Sequence, residues 1–124
     1  MTTTWDLPRG LLGFPDLTSL EFTPLPDTDV YGVLADPDTG LQFVLALAGA
    51  FFPDYEIDVP DASWQQLGLT DPKDAAVWVV VTQRGEGSFT ANLRGPVVVN
   101  PATSTAVQVV LDDSHATSAA LVAA

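Results

Sequence analysis

The sequence predicts an all-β domain: an antiparallel, partly open barrel or a sandwich-like pseudo-barrel with one short helix. Three observations predict it. Short runs carry apolar residues either at every second position or without interruption, the patterns of half-buried and fully buried strands. Ten prolines and nine glycines fall in small clusters between those runs, as turns do in a chain of strands. A single stretch carries both a helix start and a helix stop signal.

The elements follow in order. Residues 7–16 form an irregular entry segment rich in Gly and Pro. Residues 18–23 read as a first strand, closed by Pro24 and Pro26. Residues 30–35 and 41–47 read as a hairpin around the turn Asp36-Pro37-Asp38-Thr39-Gly40. Residues 48–54 leave regular structure, with Gly49 and Pro53 as breakers. Tyr55, Ile57 and Val59 alternate with Glu56 and Asp58, which predicts a short strand with one acidic face. The helix follows: Asp61 caps it, residues 62–67 make about two turns, and Gly68 stops it. Trp64 and Leu67, three apart, share one face.

Residues 75–82 are almost uniformly apolar and predict a central strand covered on both faces. A loop at 83–87 leads to a strand at 88–93, where Phe89, Ala91 and Leu93 alternate with Ser88, Thr90 and Asn92. Gly95-Pro96 bends the chain, 97–99 is another strand, and Asn100-Pro101 turns it. Residues 106–111 are the last strand, with Val107, Val109 and Leu111 inward. The small, apolar stretch 115–124 is expected to be a frayed helix or a flexible tail. No repeat and no domain boundary is visible, so residues 1–124 are expected to form a single domain.

Composition narrows the function classes. Sixteen acidic residues face four basic ones, for a net charge of -12. Such a surface repels nucleic-acid phosphates and anionic membranes, and attracts a basic protein in a salt-dependent way. With no cysteine, disulfides, thiol catalysis and thiolate metal sites are excluded. The N-terminus shows no signal-peptide pattern, and the longest apolar run, 43–52, is about half of what a spanning helix needs. A cytoplasmic protein is expected.

No set of residues points to catalysis or to a cofactor. Asp112 and Asp113 are neighbours on a strand, so their side chains point to opposite faces and do not converge on one ion. The Asp36–Gly40 turn lacks the fifth and sixth positions of a calcium loop. His115 has no partner at metal or catalytic spacing, and Ser88, Ser104 and Ser114 lack a nucleophile-elbow setting. Phe51-Phe52-Pro53-Asp54-Tyr55-Glu56 is different, because two aromatics, a proline and a tyrosine fall where the strand pattern breaks. It fits either a cap on the core at a barrel end or the centre of an interface. Asn92 and Asn100 flank the Gly95-Pro96 bend and fit a polar network holding that corner.

Five segments, taken in order, resemble the flagellar assembly factor FliW family. They are Gly10-Leu11-Leu12-Gly13-Phe14-Pro15-Asp16-Leu17; Phe52-Pro53-Asp54-Tyr55-Glu56; the Leu-Gly-Leu helix end at 67–69; Asn92-Leu93 through Pro96 to Asn100; and Gln108-Val109-Val110-Leu111-Asp112. The resemblance implies a non-enzymatic, cytoplasmic regulator with a barrel-like fold. It further implies two protein partners: flagellin, and the small RNA-binding repressor CsrA, which the factor binds and antagonises once flagellin has been exported. It places protein contacts on Phe52, Pro53, Asp54 and Tyr55, with Asn92, Asn100 and Asp112 as further motif positions. Where the family often carries a tyrosine and an arginine–histidine pair after the aspartates, this chain runs His115-Ala116-Thr117-Ser118. A small-ligand-binding β-barrel, open near Phe51 and Tyr55, is the alternative reading.

Overall fold

The computed structural model describes residues 2–112 and 114–121. Nine strands form one sheet: β1 (Thr3–Asp6), β2 (Ser19–Pro24), β3 (Tyr31–Ala35), β4 (Gln42–Leu47), β5 (Ala76–Gly85), β6 (Ser88–Ala91), β7 (Val97–Asn100), β8 (Thr105–Gln108) and β9 (Ala119–Ala120). Two short helices, α1 (Ala48–Phe51) and α2 (Asp61–Leu67), and a 3-10 turn at Pro72–Asp74 lie between β4 and β5.

Neighbours run β4-β3-β2-β1-β8-β7-β5, and β4 pairs β5 directly, so these seven strands close into a ring. All pairings around the ring are antiparallel except one: β1 and β8 run parallel and meet at Asp6↔Thr105. The barrel is therefore mixed, and its parallel seam joins strands from opposite ends of the sequence. β6 and β9 lie outside the ring. β6 shares one edge of β5 with β7: Val81 pairs Ala91, while Trp78 pairs Val97. Residues 92–96 are thus a bulge in what would otherwise be one long strand along β5, and they produce the bend expected at Gly95-Pro96.

The alternation of side chains sorts the core into an interior and two outer layers. Inside the barrel sit Trp5, Leu7, Leu20, Phe22, Leu34, Leu45, Trp78, Val97 and Val99. The Phe22 ring stacks on Trp5 at 4.4 Å and tilts against Trp78 at 5.0 Å, so large rings fill the barrel at that level. On the outer face of β7 and β8, α2 and its flanks bury Val59, Leu67, Val98, Val107 and Val109. On the outer face of β4 and β5, Ala46, Ala48, Val79 and Ala91 are covered by Phe51, Phe52, Tyr55, Leu93 and Leu121. The uniformly apolar run at 75–82 is now explained: Trp78 enters the barrel and Val79 the outer layer, so both faces of β5 are covered.

Several local expectations change. The short β1 carries one buried residue, Trp5, and gave no periodic signal. Residues 55–59 alternate, yet they form no ladder; Ile57 and Val59 drop singly into the layer under α2. Pro60, not Asp61, is the N-cap of α2, and its carbonyl accepts the amides of Ser63 and Trp64. Asp61 instead occupies the first turn, where a carboxylate complements the helix dipole. Gly68 ends the helix in the left-handed region, as expected. Residues 115–121 are not a frayed helix: the Leu93 amide donates to Ala116 at 2.8 Å, β9 pairs β6, and Leu121 packs on the outer layer. Among the described residues no helix is long and apolar enough to cross a membrane.

Candidate protein-binding site

The segment after α1 is a tight turn. The Tyr55 amide donates to the Phe52 carbonyl at 3.0 Å, which places Pro53 and Asp54 at the two central turn positions. Proline's fixed φ suits the first of them. Both are exposed, whereas Phe52 and Tyr55 on either side are half-buried in the outer layer over β4 and β5. Beside the turn, Phe51 tilts against Tyr31 at 5.2 Å. A cleft of about 310 Å³ opens here, lined by Gly49, Phe52, Pro53, Tyr55, Ile57 and Val77.

Tyr55 connects this turn to the bulge. Its hydroxyl donates to the Leu93 carbonyl, and its ring meets the edge of His115 at 5.7 Å. Burial pushes the Tyr55 phenol up to about 12. The bulge is held by Asn92, whose Oδ1 accepts the amides of Arg94 (3.0 Å) and Gly95 (3.3 Å). Arg94 in turn donates from Nε to the His115 carbonyl at 3.1 Å.

His115 is a bridge rather than a free surface side chain. One ring nitrogen lies 3.1 Å from the Glu56 carbonyl and the other 3.6 Å from the Asp112 carboxylate. Both neighbours are acceptors, so a neutral ring serves one of them and a protonated ring serves both. Asp112 is exposed, and its carboxyl is held below the usual range, first by the Ser114 hydroxyl, then by the Ser114 amide and by His115. Asp113 lies outside the described residues.

Of the seven residues marked in the sequence, the structure therefore gathers six around Tyr55: the Phe52-Pro53-Asp54-Tyr55 turn, Asn92 through the bulge it holds, and Asp112 through His115. Asn100 stands apart. It is 5% exposed; its Nδ2 donates to the Leu67 carbonyl at 2.8 Å and its Oδ1 accepts the Ala102 amide at 3.0 Å. It fastens the end of α2 to the β7–β8 turn. Asp36 is likewise used internally: its carboxylate accepts from the Asp38 amide and the Thr39 hydroxyl, stabilising the hairpin turn. Among the described residues no cluster of His, Asp and Glu could hold a metal ion. Sequence reasoning missed His115 and Leu93. The one signal for His115 was its position three residues after Asp112.

The FliW protein family model matches residues 2–121. The chain belongs to the FliW family. It is 34% identical over 117 residues to the flagellar assembly factor FliW of Moorella thermoacetica, covering 90% of this chain and 72% of that one. It is 31% identical over 118 residues to the FliW of Symbiobacterium thermophilum, covering 93% and 86%. A crystal structure of the flagellar assembly factor FliW superposes with a TM-score of 0.86 at 29% identity, covering 98% of this chain and 86% of that chain. The FliW barrel, and with it the role of flagellar assembly factor, is thus shared along nearly the whole chain.

Proposed function

We propose that this FliW-family protein is a cytoplasmic, non-enzymatic partner switch. It binds flagellin; when free of flagellin it binds CsrA and antagonises it, relieving repression of flagellin translation. The observation that carries this reading is the convergence of the Phe52–Tyr55 turn, the Asn92 bulge and the Asp112–His115 bridge at one place on the barrel. Pro53 and Asp54 stand exposed at the tip, backed by rings packed into the outer layer. A rigid exposed tip over an aromatic base suits a protein interface.

The charge supports the same reading. A net charge of -12 steers a basic, RNA-binding protein toward this surface and keeps RNA away from it. The ligand-barrel alternative gains no support from an interior filled by Trp5, Phe22 and Trp78. The deciding experiment is a calorimetric titration with CsrA from the same organism, repeated after loading with flagellin. Tight binding that flagellin abolishes is expected. A folded sample that binds neither protein would end the proposal.

A further inference from the structure

The ribbon made by β7 and β8 continues past the end of β8. The Val109 amide donates to the Pro96 carbonyl at 2.9 Å and the Leu111 amide to the Arg94 carbonyl at 2.7 Å. Those two bonds fix the phase of the ladder. In an antiparallel pair, alternate residues turn their amides and carbonyls to opposite edges. Val110, between Val109 and Leu111, therefore presents its N–H and C=O on the edge away from 94–96. On that edge β1 has already departed. Its pairing with β8 consists of Asp6↔Thr105, and the next amide, Leu7, turns to Thr18 at 2.9 Å.

What borders this edge is the loop of residues 10–15, and it touches β8 through a side chain. The Leu12 amide donates to Gln108 Oε1 at 2.6 Å. Among the described residues the main chain of Val110 has no hydrogen-bonding partner. Val110 is 62% and Leu12 63% exposed, on either side of a depression of about 290 Å³. An open strand edge beside apolar side chains is what soluble proteins usually blunt with lysine, proline or a bulge. Here the edge runs instead into the exposed Asp112.

We infer that this edge binds an extended segment of CsrA as an added strand. The segment's main chain pairs with Val110, an apolar side chain lies beside Leu12 and Val110, and basic residues meet Asp112. The unpaired Val110 amide and carbonyl favour an extended chain, and the net charge of -12 favours a basic one. The inference rests on the CsrA reading above and adds where and how the contact is made.

Val110→Pro tests it. Proline removes the outward N–H, breaks no internal bond, and its φ is compatible with an edge strand. Val110→Thr keeps the N–H and serves as the control. In titrations with CsrA, V110P is expected to bind at least about tenfold more weakly and V110T within about threefold of the unsubstituted protein. The complex of the unsubstituted protein is read separately by amide exchange, where the Val110 amide is expected to slow at least about tenfold. A folded V110P that binds CsrA normally, or a Val110 amide that exchanges at its free rate in the complex, overturns the added strand and leaves the partner reading standing. Loss of flagellin binding alone in V110P overturns the choice of CsrA as occupant. An unsubstituted protein that ignores CsrA overturns both readings together.

Discussion

The Tyr55 hydroxyl donates to the main-chain oxygen of Leu93, so one side chain ties the turn after α1 to the bulge between β6 and β7. The bond has its own test. Tyr55→Phe keeps the ring and leaves the carbonyl unserved, and is expected to lower unfolding stability by about 1 kcal/mol in urea titrations. Tyr55→Ala also removes the packing against His115, and is expected to weaken partner binding by more than about 1 kcal/mol. Unchanged affinity in a folded Y55A would make Tyr55 a structural residue.

Burial of the same hydroxyl gives a pH dependence. Burial pushes the folded phenol up to about 12, above the ordinary tyrosine value of 10.0. The folded state therefore holds this proton more tightly than the unfolded chain does. Its stabilising contribution is whole below pH 10 and is lost as pH rises through 12. Stability measured across this range is expected to fall more steeply for the unsubstituted protein than for Tyr55→Phe, and ultraviolet titration should show one late phenol that Y55F lacks.

At the other end of the bridge, Asp112 is held ionised chiefly by the Ser114 hydroxyl. Carboxyl carbon NMR is expected to show Asp112 titrating below the ordinary carboxylate range, and moving up toward it in Ser114→Ala. The folded value is depressed, so the associated stabilisation is present at neutral pH and is lost as the solution is acidified through it. Asp112 lies in solvent, and the effect on unfolding should be small.

Asn100 and Asp54 should separate folding from recognition. Asn100→Ala strands the Leu67 carbonyl and the Ala102 amide, and is expected to cost about 1–3 kcal/mol of stability while leaving partner affinity within about twofold. Asp54→Lys reverses a charge on the exposed tip, with stability expected within about 0.5 kcal/mol of the unsubstituted protein. Binding to CsrA is expected to weaken, and its association rate to lose much of its salt sensitivity. The reverse pattern would place the recognition surface on the α2 side of the barrel.

Gly32 reports on the barrel interior. A Cβ there would lie 2.3 Å from the Phe22 ring, which is itself stacked on Trp5. Gly32→Ala is expected to destabilise by about 1–3 kcal/mol and to change the near-ultraviolet circular dichroism of the tryptophans. A neutral G32A would mean that the Phe22 ring moves aside freely.

The strands legible in the sequence are those set off by a turn or covered on both faces. β3 and β4 flank the Asp36–Gly40 turn, and β5 is apolar throughout because it puts Trp78 into the barrel and Val79 into the outer layer. Alternation, by contrast, misleads at Tyr55, Ile57 and Val59. These side chains are buried one by one beneath α2 or against β5, with no neighbouring strand to bond their main chain. β1 and β9 are silent because they are short, four and two residues, and bury too few side chains for a period to show; their places are set by pairing with β2 and β6. The turn at Pro53 and Asp54 was visible from composition. The bridge to Asp112 was not, since it depends on how the chain after β8 folds back over Glu56.

The parallel seam at Asp6 and Thr105 has a consequence for biosynthesis. β2, β3, β4 and β5 pair each with the next in sequence order, but the barrel cannot shut until β8 has been made and has joined β7 to β1. Until then the faces of Leu20, Phe22, Leu34 and Leu45 stay open to solvent. A chain cut before Thr105 is therefore expected to remain an open, curled sheet with two unpaired rims, a form prone to aggregation and proteolysis.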